Sequence, residues 1–181
     1  GRLTLPLVAA GVVAKKILGN KYPSLGIHAY LSQVGGIPVI KDRPLPEKVN
    51  TILRNSVEKG DSLGAVISCE VNGVPAGLGN PFFDSLESLL SHAVFAIPGI
   101  KGITFGLGFD ESLLTGSQNP HIGGIAGGIT NGDPVSFQIA VKPTPTVGGR
   151  GRHDACFALR VPVVVEAVTA IVLADLSMTP A

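Results

Sequence analysis

Apolar residues recur along this chain with two different periods, and the switches between them divide it into elements. From 5 to 18 they run almost unbroken, interleaved with the small residues Ala9, Ala10, Gly11 and Ala14. That pattern predicts a helix packed closely on another, with Thr4 as its cap and Pro6 tolerated in its first turn. Lys15 and Lys16 fall toward its C-terminal end, where the helix dipole favours cations. Residues 20–24 read as a turn, and 26–34 alternate as a strand. The stretch 37–46 carries three prolines and reads as a loop. Pro46 opens a helix to about residue 59, closed by Gly60. A strand over 63–71 ends at the turn dipeptide Asn72-Gly73. A rigid glycine-bearing loop follows over 75–81, then a helix over 84–95 with Leu86, Leu89, Leu90 and Val94 on one side. Pro98 and Gly99 end it. Residues 100–107 form a strand broken by glycines, 110–114 a short helix, and 123–132 a glycine cluster. A strand over 135–141, a loop over 142–153 and a helix over 161–176 complete the chain. Strand segments separated by helices, with no short repeat, favour an α+β layered fold in a single domain over 1–181.

Composition narrows the function. The 181 residues are enough for one sizeable core and short for two. Fourteen Lys and Arg against 13 Asp and Glu leave a net charge of +1, which argues against a nucleic-acid surface. Only 15% of residues are charged and the mean hydropathy is +0.40, which excludes a disordered chain and points to surface hidden in an oligomer. No window approaches 18 uninterrupted apolar residues, so no membrane span is expected. There is no signal-peptide pattern, and the first residue is Gly, which reads as the start of a processed product or a fragment. Cys69 and Cys156, 87 positions apart, read as reduced thiols. His and Cys never cluster with ligand spacing, so no metal site is expected.

Four segments are unusual for a purely structural domain. Gly1-Arg2-Leu3-Thr4 sets an arginine at a helix N-terminus, where backbone N–H groups and a guanidinium converge on an anion; a solvated terminal arginine is the plain alternative. The run from His121 to Gly132 has paired glycines twice. It lets a backbone approach a ligand, or forms a glycine-packed hairpin ending at Asn131-Gly132. Lys142-Pro143-Thr144-Pro145-Thr146 is a stiff strip bearing a cation and two hydroxyls. It suits a phosphate or a flavin, or serves as a proline-rich strand exit. Gly151-Arg152-His153-Asp154-Ala155-Cys156 gathers titratable groups before an apolar helix. Arg152 could bind an anion and orient Asp154 as a base, or the two could simply pair. Cys156 reads as packing, and His28 and His92 as ordinary strand and helix residues.

Taken together, these stretches resemble the chorismate synthase family. The resemblance is carried by Gly1-Arg2-Leu3-Thr4 with the helix through Lys16, Gly60-Asp61-Ser62-Leu63-Gly64, and the run from Val74 to Asp84. The glycine-rich run from Gly123 to Gly132, the strip Lys142 to Thr146, and Gly151 to Cys156 complete it, in order, across nearly the whole chain. The resemblance implies a lyase that converts 5-enolpyruvylshikimate 3-phosphate to chorismate. Phosphate and a proton leave in a 1,4-anti sense, and reduced FMN is required although the reaction is redox-neutral. It further implies helices layered between antiparallel sheets, a homotetramer in the cytoplasm, no membrane or nucleic-acid partner, and NADPH as the flavin reductant in some members. By position, Arg152 resembles the arginine touching both flavin and substrate, and Asp154 the aspartate that works with the flavin in removing the proton. Gly99, Gly127, Lys142, Pro143, Thr144, Pro145 and Thr146 match flavin-binding positions, and Arg2 an arginine that holds the substrate's anionic groups.

The departures are specific. The family's N-terminal region, with its two acid histidines and two substrate arginines, has no counterpart here. The loops between Asn119 and His121 and between Val147 and Arg150 are short, and so is the C-terminal tail. Pro98-Gly99 stands where the family has Asn-Ala, Leu3 where Glu is common, and Ala155 where Pro is usual. The alternative expectation is therefore an inactive remnant that binds flavin or only assembles with other subunits.

Overall fold

The computed structural model describes residues 3–118, 123–148 and 154–178. Five strands form one antiparallel sheet: β1 (Gly26–Val34), β2 (Ile37–Pro38), β3 (Ala65–Asn72), β4 (Ile100–Phe105) and β7 (Val135–Val141), in the order β2-β1-β3-β7-β4. The short strands β5 (Ile125–Ala126) and β6 (Ile129–Thr130) pair as a separate ribbon. The helices are α1 (Thr4–Lys21), α2 (Glu47–Glu58), α3 (Leu86–Phe95) and α4 (Pro162–Met178). The α+β class expected from the sequence is the one observed.

Period-two alternation explains the sheet. Ala29, Cys69 and Phe137 are cross-strand neighbours, as are Leu31, Ile67 and Ile139, so the apolar set lies on one face. Phe105 and Ile103 of β4 extend it. The opposite face is polar. There Tyr30 donates to Glu70 at 2.8 Å, Lys41 donates to the same carboxylate at 2.5 Å, and Ser68 pairs with Tyr30 across the strands. The Lys41 and Tyr30 hydrogen bonds hold the Glu70 carboxyl below its ordinary pKa.

Helix α4 packs on the apolar face against β1 and β3, and α1 and α3 pack on α4. Being buried on several sides, α4 is apolar almost all round, from Val164 and Val165 to Leu173 and Ala174. Helices α1 and α4 run parallel: Gly11 lies on Ala167, Lys15 pairs with Glu166 at 2.6 Å, and Lys21 donates to the Ser177 carbonyl. The approach at Gly11 is close enough that no Cβ would fit, which is the role expected of its small residues. Glu166 also accepts the Ala29 N–H at 3.0 Å, satisfying the outer edge of β1. On its outer side α1 leaves Leu5, Val12 and Val13 exposed.

Several sequence expectations are corrected. The residue flanking α1 is Leu3, and Thr4 sits in the first turn rather than capping it. Residues 37–38, expected in a loop, pair with the end of β1. Helix α3 begins at Leu86, with the Ser85 hydroxyl accepting the Ser88 N–H as its cap. The short helix expected over 110–114 is a 3₁₀ segment, Gly108–Leu113. The glycine cluster forms a hairpin. Its turn falls at Gly127-Gly128 rather than Asn131-Gly132, and both glycines of that turn take the left-handed backbone, with φ of 59° and 86°.

Candidate functional site

At one end of the sheet, beyond Ala65, Val141 and Ile100, four chain segments converge. The Lys142 N–H donates to the Gly99 carbonyl at 2.9 Å, which ties the start of the strip to the turn after α3. The Ser62 hydroxyl donates to the Thr144 carbonyl at 2.6 Å, and Gly148 N–H to the Gly60 carbonyl at 2.8 Å. Leu63 N–H donates to the Ala155 carbonyl at 2.7 Å, which brings in the segment carrying Asp154. The expected strip is therefore anchored on both sides, with Lys142, Pro143 and Pro145 exposed and Thr144 and Thr146 half-buried. The Thr144 Oγ1 atom is buried and has no hydrogen-bond partner among the described residues.

Beside this junction lies an open cavity of about 460 Å³. Its apolar wall is Ile97, Pro98, Phe157, Val161 and Val164, Thr4 closes one side, and Asp154 and Arg160 supply its charge. Gly99 has φ 90°, and a side chain there would meet the Phe157 ring at 2.3 Å, so glycine lets that ring form the wall. Because α1 and α4 are parallel, both N-termini open at this end, and their positive dipole ends favour an anion.

Asp154 is held at the cavity by two hydrogen bonds. Its Oδ1 accepts the Cys156 N–H at 3.3 Å, and its Oδ2 accepts from Arg160 Nη2. Sequence reading offered Arg152 as the partner; Arg152 lies outside the described residues, and Arg160 is the cation found on Asp154. Arg160 was missed because it lies six positions on, across the 3₁₀ segment Phe157–Arg160 that turns into α4. Its only signal was a cation just before the apolar helix. Phe157 and Thr4 were likewise missed as cavity wall. Arg2, like Arg152, lies outside the described residues.

Gly127 is not brought to this junction. It is the exposed tip of the β5–β6 ribbon, whose Gly128 carbonyl accepts the Leu86 N–H at the start of α3. Gly99 follows the other end of α3, a 10-residue helix about 15 Å long. Cys69 and Cys156 are free and buried, and burial pushes both thiols up, Cys69 to about 12. Buried and held protonated, both are poor nucleophiles. Among the described residues no three His, Cys, Asp or Glu side chains gather to hold a metal, and no helix is long and apolar enough to cross a membrane.

The chain is thus an α+β core with a stiff strip beside a cavity that bears a carboxylate and a guanidinium. The sequence profile of the chorismate synthase family matches residues 1–178. The chorismate synthase of Chitinophaga pinensis is 44% identical over 205 aligned residues, covering 97% of this chain and 58% of that protein. The chorismate synthase of Dehalococcoides mccartyi strain 195 is 37% identical, covering 98% and 62%. A crystal structure of chorismate synthase superposes with a TM-score of 0.81 at 30% identity, covering 95% of this chain and 62% of that one. The chain belongs to the chorismate synthase family. It spans about three fifths of the length of these relatives.

Proposed function

We propose that this chain forms the flavin-binding and proton-accepting part of a chorismate synthase, and that the protein eliminates phosphate from 5-enolpyruvylshikimate 3-phosphate to give chorismate. The observation that carries this reading is the junction itself: hydrogen bonds tie the strip from Lys142 to Thr146 to Gly99 and Ser62, and Leu63 to Ala155, next to the cavity that Asp154 lines.

The residues present fit FMN. A buried Thr144 hydroxyl lacking a partner, a half-buried Thr146 and an exposed Lys142 on a proline-stiffened strip can hold a flavin phosphate and ring edge. When bound, reduced FMN supplies electron density that eases departure of the phosphate. The chain's own residues do the rest. The apolar wall of Ile97, Phe157, Val161 and Val164 keeps water off the ring carbons of the substrate. Asp154 takes the proton lost in the elimination: a C–H and a C–O bond break, a C=C bond forms, and no net electrons are exchanged. The helix N-termini at the cavity favour the substrate's anionic groups, with Arg2 and Arg152 as further cations in this reading.

We extend to this protein the family's homotetramer, its cytoplasmic location and NADPH as a reductant of the flavin. Exposed Leu5, Val12, Val13, Phe82, Phe83 and Phe109 support buried contacts in an assembly. The alternative is an inactive remnant of the family that binds flavin or only assembles with other subunits. Anaerobic incubation of the purified protein with reduced FMN and substrate separates the two. Equal release of phosphate and chorismate, cut strongly but measurably in Asp154→Asn, is the expected result. Flavin binding without turnover would establish the remnant.

A further inference from the structure

We infer that Arg160 is a positioning residue for Asp154, an inference that rests on the reading of Asp154 as the proton acceptor. Both oxygens of Asp154 are engaged, and the two bonds differ in kind. The Cys156 N–H at 3.3 Å comes from the neighbouring backbone and is long. The Arg160 guanidinium is a charge-assisted donor, the stronger of the two. The pair lies on the cavity wall, with the carboxylate side chain 26% exposed and the guanidinium 66% exposed. Asp154 stands outside any helix or strand, so its own backbone does little to aim it. Arg160, by contrast, ends the 3₁₀ segment Phe157–Arg160, which leads through Val161 into α4, a helix with nine buried residues. The ion pair transmits that rigidity to the carboxylate. Asp154 and Arg160 are the charged side chains facing each other at this wall, and the other described residues lining the cavity are Thr4 and apolar side chains. Because Arg160 is mostly exposed, replacing it opens no cavity in the core.

A double-mutant cycle tests the inference with reduced FMN under anaerobic conditions. Arg160→Ala is expected to lower kcat roughly 10- to 100-fold, the scale of a misplaced catalytic group, while KM and flavin affinity change little. Added guanidinium ion restores part of the rate, and Arg160→Lys loses less than Arg160→Ala because a point charge replaces the fork. In the Asp154→Asn background, Arg160→Ala costs nothing further, since it acts through the carboxylate. Full additivity, or a loss confined to KM, would overturn the inference and leave Asp154 in its role. Unchanged turnover in Asp154→Asn alone would instead overturn the reading of Asp154, whatever Arg160→Ala does.

Discussion

The contact between α1 and α4 predicts that two glycine-to-alanine changes on one helix act in opposite directions. A Cβ built on Gly11 stands 2.4 Å from Ala167 Cβ and 2.6 Å from its Cα. Ordinary carbon contacts are about 3.5–4.0 Å, so the helices must part by more than about 1 Å. Overpacking costs about 1–3 kcal/mol, and the upper end applies here because one obstacle is backbone. Alanine recovers about 1 kcal/mol through helix propensity, leaving a net loss of about 2 kcal/mol. For a chain of this length that corresponds to a fall in Tm of about 4–8 °C. A Cβ added at Gly19 would meet nothing within 4 Å, so Gly19→Ala keeps the propensity gain alone. Its Tm rises by about 2–4 °C. Thermal melts followed by circular dichroism read both. Thr4 and Val164 line the cavity on these same helices, so Gly11→Ala also loosens the site. An unchanged or raised Tm in Gly11→Ala would refute the close packing of α1 on α4.

Two further predictions concern groups outside the cavity. Glu70 has its carboxyl held down by Lys41 and Tyr30, so its contribution to stability is present above the unfolded pKa and lost as pH falls through the depressed folded value. Urea midpoints should therefore drop from about pH 5 to pH 3 in the wild type and less steeply in Glu70→Gln; parallel curves would remove Glu70 from the account. Cys69 and Cys156, each 1% exposed with raised thiols, should resist an aromatic disulfide reagent at neutral pH and both react after unfolding. Rapid labelling of either in the native protein would contradict their burial.

The fold was legible wherever burial and period coincide. Strands such as β3, with Ile67, Cys69 and Val71 inward and Glu70 outward, announce themselves by alternation. Helix α4 was legible from its long apolar run, interrupted only by Glu166, Thr169 and Asp175. The errors sit where local signals compete. Thr4 has the chemistry of a cap, yet the helix begins one residue earlier. Asn131-Gly132 is a strong turn dipeptide, yet the ribbon turns at Gly127-Gly128, and Asn131 instead bonds Asp133. In the site, the strip from Lys142 to Thr146 could be read from its prolines and hydroxyls, because stiffness and donors are local properties. Arg160 could not. Its link to Asp154 depends on a 3₁₀ turn that carries no sequence signature, and the Phe157 wall depends on the missing side chain of Gly99 fifty-eight positions earlier.

The central claim is that the strip at this end of the sheet holds the flavin. Anaerobic titration of reduced FMN into the purified protein with substrate present, in wild type and Lys142→Ala, tests it most directly. Saturable binding that weakens on the order of 10- to 100-fold in the variant, from loss of one charge-assisted contact, is the predicted result. Binding of equal strength in both proteins, or none in the wild type, would contradict the account.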